Sequence, residues 1–228
     1  TSRRITYRKR GGITSRRAKD GRQRLPIDSN NGARKRARRK ELLATRRALP
    51  NDARDDENSR IHSHILAHPV WRNARVVVGY AATPDEVATD PLLSAAQRAG
   101  KLVVLPRMEH GRISWRAVPD ISAKDVFVRG AFGILEPSAA TPVWRADGAV
   151  REDVVWLIPG VGFDLRGHRL GRGGGHYDRA LADAGDPPHT VGLAFSCQVC
   201  EAIPAASHDR PMAHLVTPEQ WHDMEPYA

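Results

Sequence analysis

The chain has 228 residues, 40% hydrophobic and 27% charged, enough to bury one sizeable core; with only Cys197 and Cys200 it is not a disulfide-built secreted scaffold. The net charge of +10 is uneven: residues 1–50 hold 18 Lys and Arg against three acids, and the rest hold 18 against 23, so the body is acidic and the excess sits in an arm. No apolar run is long enough for a spanning helix, and the basic start is not followed by the apolar stretch of a secretory signal, so the expectation is a cytoplasmic protein without a membrane partner.

Residues 1–31 show no sustained apolar period and combine charge with Gly-Gly and Ser-Asn-Asn, which predicts a basic disordered extension ahead of one domain over 32–228. From Ala33 the composition turns to good helix formers, with Ala37, Leu42, Leu43 and Leu49 as the buried stripe and Pro50 as a stop. Lys35 and Arg39 lie four apart and can meet a polyphosphate jointly or stand as two surface cations. A second helix is expected over 56–68, with Ile61, Ile65 and Leu66 inward.

RVVVGY over 75–80 is β-branched and reads as a strand; Pro91 fits the first turn of a helix carrying Leu92, Leu93 and Ala96, and Gly100 ends it. KLVVLP over 101–106 completes a strand, helix, strand unit, and ISWRAV over 113–118 adds a strand across a turn at His110-Gly111. DVVWLIPG over 153–160 is apolar on both faces, as a central parallel strand must be. TVGLAF over 190–195 reads as another buried strand, and HLVT as an edge. The alternation predicts an α/β fold with helices around a central, mostly parallel sheet.

LGRGGGHYDR places Gly171, Gly173, Gly174 and Gly175 after a strand and before a helix starting near Tyr177. Missing side chains let main-chain N–H groups approach phosphate oxygens, and Arg169 and Arg172 add full charges; a structural turn is the alternative. Asp178 can meet a phosphate-bound Mg²⁺ or serve the free amides of the helix start, and Asp164 and Asp209 are further oxygen ligands. Glu86, just beyond the first strand, can accept from an amino-substituted heterocycle or cap a nearby helix. Trp115, Trp144, Phe163 and Tyr177 are aromatic walls or core. The lone CxxC of Cys197 and Cys200 lacks a second pair and reads as two structural thiols.

Taken together, KRARRKELLATRRAL, GYAATPDEVATDPLL, VVLPRM, ISWR, FGILEP, LIPGVGFDLRGHRLGRGGGHYDR, VGLAFSCQV and HDRPMAHLVT resemble the 5-formyltetrahydrofolate cyclo-ligase family over residues 33–219. The resemblance implies ATP-dependent closure of 5-formyltetrahydrofolate to 5,10-methenyltetrahydrofolate: the formyl oxygen attacks the γ-phosphoryl group, N10 attacks the formyl carbon, and phosphate leaves. It implies ATP as cosubstrate, Mg²⁺ as cofactor and a monomer. It assigns nucleotide contacts to Lys35, Arg36, Arg39, Arg169, Leu170, Gly171, Arg172, Gly173, Gly174, Gly175, His176 and Tyr177. Folate contacts fall to Ala81, Glu86 and His176, chemistry to Arg172, Tyr177 and Asp178, and Mg²⁺ to Asp178 and Asp209. His176 departs from the Tyr of many relatives, and Gly174 stands where some carry Lys, which leaves Arg172 and the amides more of the electrostatic work. The rival expectation is a catalytically silent, RNA-associated module that binds through the basic arm.

Overall fold

Short β-branched runs that are apolar on both faces can only be buried between two layers, and the chain builds that arrangement. A computed structural model describes residues 27–130, 133–146, 151–206 and 209–224. Its main sheet has seven strands. At the centre lie β1 (Val76–Val78), β2 (Leu102–Glu109), β6 (Val154–Ile158), β9 (Thr190–Leu193) and β11 (His214–Val216), joined by parallel pairings in the order β11-β9-β6-β1-β2. Antiparallel β3 (Arg112–Val118) and β12 (Trp221–Asp223) close the two edges.

Alternation along the central strands supplies two cores. Val77, Val155 and Leu157 join one, with Ile61 and Ile65 of α2 (Asn51–Ala67) and Leu92, Leu93 and Ala96 of α4 (Asp90–Arg98). Val78, Trp156 and Ile158 join the other, with Leu181 of α5 (His176–Asp183). The short α3 (Pro69–Asn73) leads from α2 into β1 and buries Trp71. α4 packs tightly over β1: a Cβ on Gly79 would lie 2.7 Å from Leu93 Cδ2. β2 and β3 turn through His110 and Gly111 at φ 48° and 76°, the paired left-handed geometry of a two-residue hairpin.

Two small sheets complete the fold, β4 (Phe127–Arg129) with β5 (Leu135–Pro137), and β7 (Gly162–Asp164) between β8 (Arg169–Leu170) and β10 (Val199–Cys200). β1 has β2 on one side and β6 on the other, so successive connections run in opposite directions from it. Such a reversal opens a crevice beyond the carboxyl ends of the strands.

Several expectations need correction. α1 (Ile27–Ala48) starts within the stretch expected to be disordered; residues 1–26 lie outside the described residues. α2 begins at Asn51, because Pro50 ends one helix and leads directly into the next. Ala37 is exposed and Leu66 is 40% exposed, so neither is core. β11 is an interior strand, since β12 pairs outside it. Phe132 of FGILEP lies outside the described residues.

Leu93 is 1% exposed between α4 and the sheet. Leu93→Ala is expected to lower unfolding free energy by about 2–5 kcal/mol, read from the midpoint of denaturant unfolding at constant slope. A loss well under 1 kcal/mol would mean that α4 is not seated as described.

Candidate functional site

α1 turns a charged stripe inward. Lys35, Arg39, Leu42 and Arg46 follow one another at intervals of four, three and four, which puts them on one helical face. Leu42 is buried with Val161, Leu170, Cys200 and Ile203. Lys35 Nζ meets Asp209 Oδ2 at 2.5 Å, and Arg39 Nε donates to the Gly171 carbonyl at 2.7 Å. Arg46, 1% exposed, donates through Nη2 to Asp85 at 2.7 Å and through Nη1 to the Gly160 carbonyl at 3.2 Å, with Glu86 Oε1 3.8 Å away. Burial alone would raise the Asp85 carboxyl, but hydrogen bonds from Arg46 and Thr83 outweigh it and hold it below its ordinary range.

The loop after β1 is stitched at several points. Thr89 Oγ1 donates to the Tyr80 carbonyl at 2.5 Å, the Asn58 side chain accepts from Ala88 N at 2.9 Å, and Glu86 Oε2 accepts from Thr83 N at 3.0 Å. This fixes Glu86, 9% exposed, at the crevice wall, where Oε1 also accepts from Arg172 Nη2 at 2.9 Å.

The opposite wall is the glycine segment. Gly173 and Gly175 sit at φ 109° and 62°, backbone that side-chain-bearing residues rarely adopt, and Gly175 forms the N-cap of α5. At Gly174 the room a Cβ would take is occupied by the movable His176 imidazole, whose Nε2 would lie 2.5 Å from it. Arg169, 7% exposed, donates to Asp178 Oδ1 at 2.7 Å and stands 6.0 Å from the Tyr177 ring centroid. Burial lowers the Arg169 pKa, and Asp178, Tyr177 and Asp209 oppose that shift. Burial likewise pushes the Tyr177 hydroxyl upward, as does the charge of Glu86.

These walls enclose a cavity of about 430 Å³. The loops after β1 and β6 bring Ala81, Glu86 and Gly160 to it; Met108, Ile113 and Leu135 give it an apolar side. A second cavity of about 380 Å³ lies against Gly173, Gly174, Gly175, Asp178, Arg179 and Arg210. Gly174, Gly175 and Asp178 border both cavities, so the glycine segment is a partition between an apolar chamber and a cationic one.

The structure thus gathers Ala81, Glu86, Arg169, Gly171, Arg172, Gly174, Gly175, His176, Tyr177 and Asp178 around one cavity, with Gly173 at its neighbour. Other expected residues stand elsewhere. Arg36 is exposed, and the Leu170 side chain is 1% exposed in the core, leaving only its main chain near the site. Lys35 and Asp209 pair with each other outside both linings. Asp178 does not cap α5: its Oδ1 takes Arg169 and the Arg210 N–H at 3.2 Å. Asp164, 1% exposed, organises its own turn by accepting from the N–H groups of Arg166, His168 and Ile203.

Phe163 is core, while Trp115 and Trp144 pack on Trp156, Trp115 also meeting Tyr177 edge-on at 6.2 Å. Cys197 and Cys200 are free thiols, Cys197 pushed up by burial and the nearby Glu57 charge. Among the described residues no group of three or more His, Cys, Asp and Glu is placed to hold a metal. No described helix is long and apolar enough to cross a membrane.

Arg46, Thr83, Arg179 and Arg210 were missed. Extending the Lys35 and Arg39 period by one further turn past Leu42 would have found Arg46. Arg210 has no such signal, because it reaches the site from a separate loop.

Arg46→Met takes from Asp85 its main cation and from the Gly160 carbonyl a donor, and is expected to cost about 2–4 kcal/mol at neutral pH. The Asp85 contribution is present above its unfolded pKa of about 4 and is lost as pH falls through the lower folded value. The gap between wild type and variant should therefore narrow below about pH 4. A gap that is constant with pH in urea titrations would disconnect Arg46 from Asp85.

A family model described as the 5-formyltetrahydrofolate cyclo-ligase family matches residues 31–218. The chain is 30% identical over 181 residues to the mouse 5-formyltetrahydrofolate cyclo-ligase, covering 77% of this chain and 89% of the mouse protein. It is 29% identical over 180 residues to the Escherichia coli K12 5-formyltetrahydrofolate cyclo-ligase, covering 77% and 95%. The solved structure of Aquifex aeolicus 5,10-methenyltetrahydrofolate synthetase superposes with a TM-score of 0.72 at 31% identity, covering 85% of this chain and 94% of that one.

Proposed function

The chain belongs to the 5-formyltetrahydrofolate cyclo-ligase family, and we propose that its two adjoining cavities are the folate and nucleotide subsites of that reaction. The protein is an ATP-dependent ligase that cyclises 5-formyltetrahydrofolate to 5,10-methenyltetrahydrofolate and releases ADP and phosphate. One observation carries the assignment to this crevice: a buried carboxylate, Glu86, and a glycine segment with cations face each other across one chamber at the switch point of the sheet.

Ring closure needs the formyl oxygen converted into a leaving group, because an amide-like oxygen is not expelled by N10 unaided. Transfer of the γ-phosphoryl group does this: the formyl oxygen–phosphorus bond forms as the bond to the ADP oxygen breaks. N10 then attacks the formyl carbon and loses its proton to solvent or to the phosphate, and the carbon–oxygen bond breaks with departure of phosphate. The protein has to align two polar molecules and neutralise charge.

Glu86 suits the donor edge of the pterin, since a carboxylate accepts two parallel N–H bonds with charge assistance. Met108, Ile113, Leu135 and the Tyr177 ring line the same chamber and suit the flat heterocycle and its apolar neighbours. Ala81 and His176 border it as well. The amides of Gly173, Gly174 and Gly175 and the start of α5 suit phosphate oxygens, with Arg169, Arg172, Lys35 and Arg39 as the surrounding cations. Tight positive-φ turns bring those amides close without side chains in the way.

Family membership implies Mg²⁺ with the nucleotide. The donor chemistry fits: Asp178 borders both cavities, and among the described residues Oδ1 alone takes its hydrogen bonds, which leaves Oδ2 for a hard cation, directly or through water. Asp209, the other carboxylate expected at the metal, is held by Lys35 outside both cavity linings. When bound, the cation neutralises phosphate charge. Arg169 meanwhile holds Asp178 at the partition.

Glu86→Gln should impair folate binding more than nucleotide binding, because an amide offers one acceptor oxygen and sets donors against the donor edge. Titration with 5-formyltetrahydrofolate is expected to show at least about a tenfold loss. Equal affinity and turnover would remove Glu86 from the folate site.

Asp178→Asn should keep the fold and lower turnover by about a hundredfold, with a shifted Mg²⁺ requirement. Methenyltetrahydrofolate and ADP formation across a Mg²⁺ titration checks this. A variant equal to wild type at every concentration would exclude a metal role for Asp178.

A further inference from the structure

Arg172 touches both halves of the site at once. It extends from the glycine segment between Gly171 and Gly173, the latter at φ 109°. Its Nη2 donates to Glu86 Oε1 at 2.9 Å and reaches Thr83 Oγ1 at 3.4 Å. Glu86 and Arg172 line the same cavity, so this bond occupies the side of the carboxylate from which a heterocycle would approach. Glu86 Oε2 already holds Thr83 N at 3.0 Å. A neutral two-donor edge needs both oxygens facing it, and one of them is covered by a guanidinium.

Two cations stand at Glu86, and they differ in freedom. Arg46 is 1% exposed and pinned by Asp85 and the Gly160 carbonyl. Arg172 is 52% exposed, and among the described residues it bonds to the Thr83–Glu86 loop alone. The pair is open to water at its guanidinium end alone, with Glu86 9% exposed, so that end is the one free to leave. Its departure leaves Glu86 beside Arg46, so the carboxylate keeps a cation while its cavity-side oxygen is uncovered. The released guanidinium remains on the segment that borders the second cavity, where Arg179 and Arg210 also stand.

We propose that the Arg172–Glu86 pair is a latch operated by the substrates: folate taking Glu86 frees Arg172 for the nucleotide phosphates, and phosphates drawing Arg172 away uncover Glu86 for folate. The latch rests on the assignment of the folate and nucleotide subsites given above. Reciprocity then requires each substrate to tighten the other by the same factor. Arg172 is thus both a phosphate contact and a gate on folate entry. The gating role has an unusual signature: removing a polar residue from the folate chamber should not weaken folate binding.

The test uses the full chain and calorimetric titration with 5-formyltetrahydrofolate, alone and with a non-hydrolysable ATP analogue and Mg²⁺. Wild type should bind folate about tenfold tighter with the analogue present, and the analogue tighter by the same factor with folate present. Arg172→Ala should bind folate alone at least as tightly as wild type and lose the coupling, the factor falling to about one. Arg172→Lys, which keeps the charge but lacks the planar fork, should retain part of the coupling and serves if the alanine variant does not fold.

Weaker folate binding in the folded Arg172→Ala protein, full coupling in it, or no coupling in wild type overturns the latch. Folate affinity unaltered by Glu86→Gln would instead show that the subsite assignment itself is wrong. The two failures are therefore distinguishable.

Discussion

A buried guanidinium, that of Arg46, is the joint on which the site depends. It ties α1 to the loop after β1 through Asp85 and to the loop after β6 through the Gly160 carbonyl. These loops lie on either side of the sheet's reversal point, so one side chain sets the separation of the crevice walls. Taking such a charge from water is costly, and a buried pair adds little net stability compared with an apolar replacement of equal shape. Its value lies in geometry: hydrogen bonds fix direction in a way that Leu42, one turn away, cannot. With Arg46 anchored, the helical period carries Arg39 to Gly171 and Lys35 to Asp209.

The glycine segment solves a second problem, holding main-chain N–H groups in the open while keeping the turn rigid. Gly173 and Gly175 allow the left-handed backbone, and the space missing at Gly174 is filled by the His176 imidazole. Rigidity comes from outside the segment. Arg39 grips the Gly171 carbonyl at one end, and Arg169 grips Asp178 at the other. The burial that disfavours charge on Arg169 is partly offset by that carboxylate, so Asp178 has a structural duty of its own. A partition held at both ends can separate an apolar chamber from a polar one and still expose donors to each.

Much of this was legible in the sequence where local rules act alone. The β-branched runs that became β1, β2 and β6, the Pro91 helix start and the His110-Gly111 turn all follow from short-range sterics and burial. The glycine segment and Glu86 were legible as candidates because each follows directly on a strand. Long-range charge pairing was not. Arg46 looked like one more cation in a basic stretch, since nothing local says that Asp85, 39 residues later, will meet it. Ala37 and Leu66 failed for the converse reason, as apolar residues in a helix are core only where a neighbouring layer covers them. Asp164 and Asp178 resembled ligands or caps, but their partners come from residues up to 39 and 32 positions away.

The uneven charge of the chain also acquires a physical meaning. From Lys35 to Arg46 the basic stretch is an intramolecular element: three of its cations are spent on Asp209, Asp85 and the carbonyls of Gly171 and Gly160. Those cations are covered by the fold and cannot serve as an open electrostatic surface for nucleic acid, which needs exposed Lys and Arg along a backbone. An acidic body that draws a cationic helix across its crevice sets those side chains beside the glycine segment, at the proposed nucleotide subsite. Ten of the 18 Lys and Arg in residues 1–50 precede Ile27 and lie outside the described residues, so the fold gives this meaning to Lys35, Arg39 and Arg46 alone.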